Sequence, residues 1–495
     1  MAADGGRSRP HRAAQVCASC KARKKRCDKM LPRCGYCTRV NFRCSYEPRP
    51  VPLTRPVSSN PTFLPFVPLP MDPSRPAALE ATLYLQVLDL IQGTGQFVDD
   101  ISTRYFQGIH RYIPFISRRR FQSSLTTLGA PPSAGSSVLL LCLGLITSSP
   151  KKGWGTGDPG TAPDSRLSGH RSLHLATKAL FSQVQACFSP SVPLIQAGLL
   201  LALYEYAHGR PDDAFASIAG CARMGYAAHL HRGKPTRTGE SIDSDALVEA
   251  EEAANTWWGL IIYERVFICE VTVPEQPLIT TIAGGDSRLP TEPAILDQSN
   301  ILGFSKISHV PVSSLSSLTV GSFGRAAQAA WLLDQVIKAF QDKSFESRLI
   351  QLQALDGAIQ ELLGALMQQS DGKIGALCEA IAILVRAIFT LHWHIIGHSH
   401  LAGNISSQSP GVSCQHSHAA LDAATKMILD IVEAHDKPDS VLLLCTAPSY
   451  TYIVQAALKH IHRKSGWLED DWLLGAEGRL RKALDGTNRA HIITP

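Results

Sequence analysis

Six cysteines between Cys17 and Cys44 constrain this chain more than any other feature. Their spacing is C-x2-C-x6-C-x6-C-x2-C-x6-C, and moving Cys17, Cys20 and Cys27 by seventeen positions lands on Cys34, Cys37 and Cys44. The segment is an internal duplication of one half-site. Each half offers three thiolates, whereas a closed structural zinc site takes four ligands in a tetrahedron. Two separate sites would need eight ligands from six cysteines. The shortage disappears if one sulfur from each half bridges both metals, and symmetry selects Cys17 and Cys34 as the bridges. Two zinc ions are the expected cofactors, with Cys17, Cys20, Cys27, Cys34, Cys37 and Cys44 as ligands. A disulfide framework belongs to secreted chains, and residues 1–15 are polar and basic with no apolar signal region. A module this short cannot bury enough surface to fold alone, which leaves metal binding to supply most of its folding free energy.

The same segment holds the chain's positive charge. Residues 1–50 carry thirteen Lys or Arg against three acids, a net +10 where the whole chain has +6, which leaves −4 for the other 445 residues. Between the second and third cysteines runs Lys21-Ala22-Arg23-Lys24-Lys25-Arg26, and charge of that density targets phosphate. The cage is expected to hold this stretch as a short helix presented outward. Arg and Lys reach the O6 and N7 edge of guanine in the major groove, so a G·C-rich duplex target follows. The basic run would also serve nuclear import.

Beyond the cysteines, ten prolines from Pro48 to Pro76 exclude helix or central strand and make residues 45–76 a semi-extended linker. From Ala77 onward the pattern is helical. Apolar periodicity of helix length recurs over 77–92, 136–148, 171–188, 193–208, 212–230, 247–270, 323–341, 346–368, 374–397, 418–434, 438–462 and 471–484. The best-defined run, Leu377, Ile381, Leu384, Ile388, Leu391 and Ile395, should lie at the centre of the core. Residues 149–169 and 280–322 lack periodicity and read as loops. The expected architecture is a flexible basic N-terminus (1–16), a small binuclear zinc cluster module (17–44), a Pro-rich linker (45–76) and a large all-α domain (77–495). The longest apolar run, Val138 to Ile146, is far short of the ~20 residues that span a bilayer, so no membrane partner is expected. The remaining seven cysteines lie singly in apolar settings such as Leu141-Cys142-Leu143, as buried thiols of a reducing compartment do.

The cysteine spacing with Lys21-x-Arg23-Lys24-x-Arg26-Cys27-Asp28, and Pro32 before the fourth cysteine, resembles the fungal zinc binuclear cluster transcription factors. The resemblance implies that the first short helix enters the major groove over a CGG-type triplet, with Arg23 and Lys24 reading bases. Lys21, Lys25, Arg26 and Arg43 would contact phosphate. It implies an RNA polymerase II pathway activator in the nucleus, acting with the transcription machinery and serving a secondary-metabolite gene cluster. More loosely, Tyr105-Phe106-x3-His110-x3-Pro114-Phe115-Ile116 with Phe121 is similar to the opening of the family's helical regulatory domain. Gln196-x2-Leu199-Leu200-x2-Leu203-Tyr204, Ala222-Arg223-Met224-x4-His229-Leu230-His231-Arg232, and Trp257-Trp258 with Glu264-Arg265 are similar to its later landmarks. The chain departs from that pattern at Glu251-Glu252-Ala253, where a basic pair usually precedes the tryptophans, and at Glu264, usually Asp. Without the resemblance, Trp257, Trp258 and Tyr204 are core aromatics at helical spacing.

Other signals are weaker. His392, His394, His398 and His400, with Cys414, His416 and His418, suggest a metal site, but no acid partner or regular spacing closes the set. They read as helix-end histidines, the later ones in a loop. Gly155 to Gly160 matches a dinucleotide fingerprint without the strand and helix that one needs. No nucleophile elbow, Walker loop or zincin motif occurs, so no enzyme is expected. Trp467 to Trp472 mixes acids and aromatics as activation segments do, although a packed amphipathic helix explains it too. Leu79 to Ile91 spans under two heptads, fewer than a coiled coil needs, which leaves a homodimer through the helical domain and monomeric binding both open. The alternative function is a zinc-stabilised nuclear interaction scaffold, or a repressor without its own sequence readout.

Overall fold

In a computed structural model the described residues are Ala13, 16–40, Cys44, Tyr46, 76–126, 130–148, 163–232, 244–297, 310–342, 344–370, 377–402, 410–436, 447–464 and 471–490. The chain divides into two compact units, Met1–Asn60 and Pro61–Pro495. The first contains two one-turn helices, α1 (Ala18–Ala22) and α2 (Gly35–Arg39), each opened by a cysteine in extended conformation. Its interior is made of the cysteines themselves, with Tyr36 and Tyr46 packed against them.

The second unit is helical throughout its described residues, and an isolated bridge between Arg288 and Pro311 is the nearest approach to a strand among them. Its N-terminal half contains α3 (Pro76–Gly93), α4 (Val98–Gln107), α5 (Arg118–Thr126), α6 (Ala134–Ile146), α7 (Pro163–Cys187), α8 (Val192–Ala207) and α9 (Pro211–Ala227). Then follow α10 (Ser244–Ile268), α11 (Pro293–Leu296), α12 (Ser322–Ala339), α13 (Phe345–Ser370), α14 (Cys378–Ala402), α15 (Pro410–Asp436), α16 (Tyr450–Lys464) and α17 (Asp471–Ala490).

Two helices without a polar face organise the halves. In α8 every residue from Leu194 to Tyr206 is buried, between α6 on one side and α9 on the other. Gly198 permits this approach, since a Cβ there would sit 2.4 Å from Cys221 Sγ and 2.8 Å from the Phe181 ring. In α14 the expected stripe from Leu377 to Ile395 is buried, against α12, α13, α15 and α16. Its length and hydropathy would suffice to cross a membrane, yet most of it is buried among these neighbours and it carries buried Glu379, Arg386 and His392. Helix α10 touches α8 and α9 on one side and α12 on the other, joining the halves.

Buried arginines fix that junction. Arg265 of α10, fully buried, bonds Asp334 of α12 (3.1 Å), Glu264 (2.7 Å) and both the carbonyl (2.7 Å) and hydroxyl of Thr280. Arg386 of α14 donates to the Val266 carbonyl (3.0 Å), Glu270 (2.6 Å) and Tyr206 Oη (2.7 Å), and lies 3.4 Å from the Tyr452 ring centre. The partners come from α8, the C-terminal end of α10 and α16.

Three expectations need correction. Residues 163–169, read as part of a loop, are the first two turns of α7, opened by Pro163; 149–162 lie outside the described residues. The helix expected over 438–462 starts at Tyr450, after Pro448, with 437–446 outside the described residues. The later histidines lie in helix α15 rather than in a loop. Helices α4 and α5 are additional: each has only one to three buried residues, too few for a clear apolar stripe. Of the span 280–322, residues 280–292 and 310–321 are irregular, with α11 between and 298–309 undescribed. The fingerprint-like segment 155–160, the linker (Tyr46 and Pro76 apart) and Trp467 also lie outside the described residues.

Candidate metal centre and nucleic-acid interface

The duplicated spacing is duplicated in the backbone. Cys17 precedes α1 with φ −66° and ψ 153°, and Cys34 precedes α2 with φ −70° and ψ 150°. In each half the next cysteine comes three residues later, one helical turn on, so both sulfurs of the pair face the same way. The third must return from farther along. After Ala22 the helix ends: Lys25 N–H donates to the Cys20 carbonyl (3.0 Å) and Lys24 N–H to the Lys21 carbonyl (3.2 Å). These two bonds form a Schellman stop, and Lys24 takes the left-handed position with φ 50° where glycine is usual. The chain then runs back to Cys27.

The six sulfurs meet. Sγ of Cys17, Cys20, Cys27 and Cys34 all lie within 4.8 Å of one another, as do those of Cys17, Cys34, Cys37 and Cys44. Cys17 and Cys34 belong to both groups. Sγ of Cys17 is 3.7 Å from Cys34 and 3.7 Å from Cys37, and Cys20 is 3.6 Å from Cys34. A tetrahedral zinc with Zn–S bonds of ~2.3 Å sets its sulfurs ~3.8 Å apart. The six thiols are free rather than paired as disulfides. Burial pushes the Cys17 and Cys20 thiols up and takes Cys34 to about 12. At Cys27 burial also acts upward, but hydrogen bonds from the backbone of Cys17 and Lys29, together with those from the Cys34 and Cys17 thiols, draw the thiol down to about 7. Thiolates gathered this closely need a cation among them, so the residues fit zinc.

Contacts outside the cysteines join the halves. Asp28 accepts from Gly35 N–H at 2.9 and 3.0 Å, and a Cβ on Gly35 would sit 2.5 Å from that carboxylate. Tyr46 donates to the Met30 carbonyl (2.8 Å). Of these only Asp28, directly after Cys27, belongs to the motif read from the sequence.

Lys21, Arg23, Lys24, Lys25 and Arg26 are all exposed; Arg43 lies outside the described residues. Their conformation corrects the expected helix. Only Lys21 and Ala22 lie in α1, Arg23 caps it, and Lys24 to Arg26 form the turn and the return. Lys, Arg and Ala favour helix, but the ligand requirement at Cys27 overrides propensity.

In the helical unit the acids that depart from the usual pattern have internal partners. Glu251 takes a bidentate pair from Arg288 (2.8 Å each), and Glu252 accepts from Ser117 N–H (2.9 Å), Arg120 (2.8 Å) and Gln196 (3.1 Å). Glu264 accepts from Ile279 and Thr280 N–H (2.6 and 2.9 Å). Trp257, Trp258 and Tyr204 are buried in the core.

Residues 15–51 match the Fungal Zn(2)-Cys(6) binuclear cluster domain, and residues 103–270 match the Fungal specific transcription factor domain. The two matches support a fungal Zn(2)-Cys(6) transcription factor, a DNA-binding regulator from families that are non-enzymatic, and such domains imply DNA and the transcription machinery as partners. Among curated proteins it is similar to Transcription factor BOA15 of Botryotinia fuckeliana (strain B05.10), 26% identical over 147 residues, which is 30% of this chain and 75% of the relative.

Proposed function

We propose that this chain is a sequence-specific regulator whose N-terminal unit holds two zinc ions and reads a CGG-type triplet. Cys17, Cys20, Cys27 and Cys34 would hold one ion and Cys17, Cys34, Cys37 and Cys44 the other. Zinc supplies the folding free energy of a unit with almost no apolar core. The observation that carries this reading is the overlap of two four-sulfur groups at Cys17 and Cys34. Arg23 and Lys24, exposed where α1 stops, are assigned to base edges; Lys21, Lys25, Arg26 and Arg43 are assigned to phosphates. The helical domain would regulate and contact partners in the nucleus, as a pathway-specific activator for RNA polymerase II. A secondary-metabolite gene cluster is the assigned target.

The test is selection of duplex DNA from a random pool by the zinc-loaded full chain and by Lys24→Gly. Glycine keeps the left-handed backbone at no steric cost and removes the side chain, separating readout from folding. The wild type should enrich one G·C-rich triplet with steep salt dependence, and Lys24→Gly should lose roughly tenfold or more of the preference with zinc retained. No enriched triplet, or a variant that keeps its preference, overturns the reading.

A further inference from the structure

Helix α5 opens on Arg118-Arg119-Arg120, the chain's only run of three arginines, followed by Phe121-Gln122-Ser123. Arg120 stands three and Arg118 five residues before Ser123. Side chains two apart share one side of an extended chain, so in that conformation two guanidiniums are presented together ahead of a hydroxyl. The acidic subsites of basophilic protein kinases take that charge pattern. The fold leaves the serine accessible: Ser123 is exposed, whereas Ser124 is half-buried and donates its hydroxyl to the Phe121 carbonyl (2.7 Å). Release of the segment into extended form costs little, because α5 buries only Phe121. Charge surrounds Ser123 in the folded state. An open groove of about 430 Å³ is lined by Arg119, Arg120, Ser123 and Ser124 of α5 and by Asp245 and Glu249 of α10. Arg119 reaches Asp245 (3.4 Å), and Arg120 reaches Glu249 (3.7 Å) as well as the buried Glu252 (2.8 Å). These pairs tie α5 to the first turns of α10, the helix that joins the two halves of the unit.

We propose that Ser123 is a phosphorylation site for a basophilic kinase and that phosphate there loosens α5 from α10. Ser123 Oγ forms a bond to the γ-phosphorus of ATP as that phosphorus parts from the oxygen bridging it to the β-phosphate. ADP leaves, and the hydroxyl proton passes to the kinase's base. The phosphoserine brings a charge of about −1.5 to −2 into the groove. Arg120 and Arg119 lie three and four residues back, on the same helix face and within its reach. The phosphate therefore draws them from Asp245 and Glu249 and repels those two carboxylates. Both effects act against the same contact, and the arginine–acid link becomes a latch that one covalent charge releases.

Incubation of the zinc-loaded full chain with ATP and a purified kinase selective for arginine three and five residues before serine tests this, with the product mapped by peptide mass spectrometry. The wild type should gain a phosphate at Ser123. Ser123→Ala, at an exposed position, should lose it without its moving to Ser124, and Ser124→Ala should keep it. In the phosphorylated chain, amide hydrogen exchange over α5 should quicken by at least about twofold, the factor that loss of two exposed ion pairs brings. A wild type that takes no phosphate at Ser123, a Ser123→Ala chain that takes it at Ser124 instead, or α5 exchange unchanged by the phosphate overturns the proposal. Neither readout involves DNA or the zinc of the cluster, so the modification site and the DNA reading fail separately.

Discussion

Lys24 meets two demands at one position: its backbone stops α1 in a left-handed turn and its side chain stands exposed among four other cations. A lysine at such a φ costs about 1 kcal/mol against glycine, a cost that a purely structural turn would have no reason to keep. His110 shows the opposite balance. It is buried against Tyr105 and Phe106, and its Nδ1 has no hydrogen-bond partner. Burial first, then the Arg118 charge, lowers its pKa to about 4. A depressed folded value against an unfolded ~6.5 means the contribution to stability is complete above ~6.5 and is lost as pH falls toward 4. His110→Phe should therefore lose less of its urea midpoint between pH 7 and pH 5 than the wild type does. An unchanged pH dependence would show that His110 is solvated in the folded chain.

At the scale of elements, the helices that periodicity marks are those that bury a continuous stripe, α6, α8, α10, α12 and α14 above all. Period and burial are then the same local property, readable from neighbours in the chain. What stayed hidden was the polar wiring between helices. Arg265 meets Asp334, and Arg386 meets Tyr206 and Glu270, from distant parts of the chain, and no local pattern announces such a pair. Likewise Asp356 of α13 meets His392 of α14 and His416 of α15. Removing one member of a buried ionic group leaves its partners charged and unsolvated, which typically costs about 3–5 kcal/mol. Arg265→Ala takes the buried charge partner from Glu264, left with the Ile279 and Thr280 N–H groups, and from Asp334, left with Lys338; both carboxylates are fully buried. Urea unfolding of the full chain, followed by helical circular dichroism, should fall by about that amount; a change below about 1 kcal/mol would mean that α10 and α12 are held by apolar packing alone.

At the scale of the whole molecule, the two units are stabilised in different ways. The helical unit has a continuous apolar core from Leu79 to Leu480, whereas the N-terminal unit has sulfur where a core would be. The cysteine spacing made the second legible residue by residue, because six ligands in a repeated pattern leave few ways to surround metal ions. It did not reveal the turn at Lys24 or the Asp28–Gly35 link, which answer to chain geometry rather than ligand count. The central claim is that six thiolates share two ions, and native mass spectrometry of the full chain tests it most directly. The account predicts two zinc ions per chain with all six cysteines reduced. A chain carrying one ion or none, or lighter by the hydrogens lost to disulfides, would contradict it.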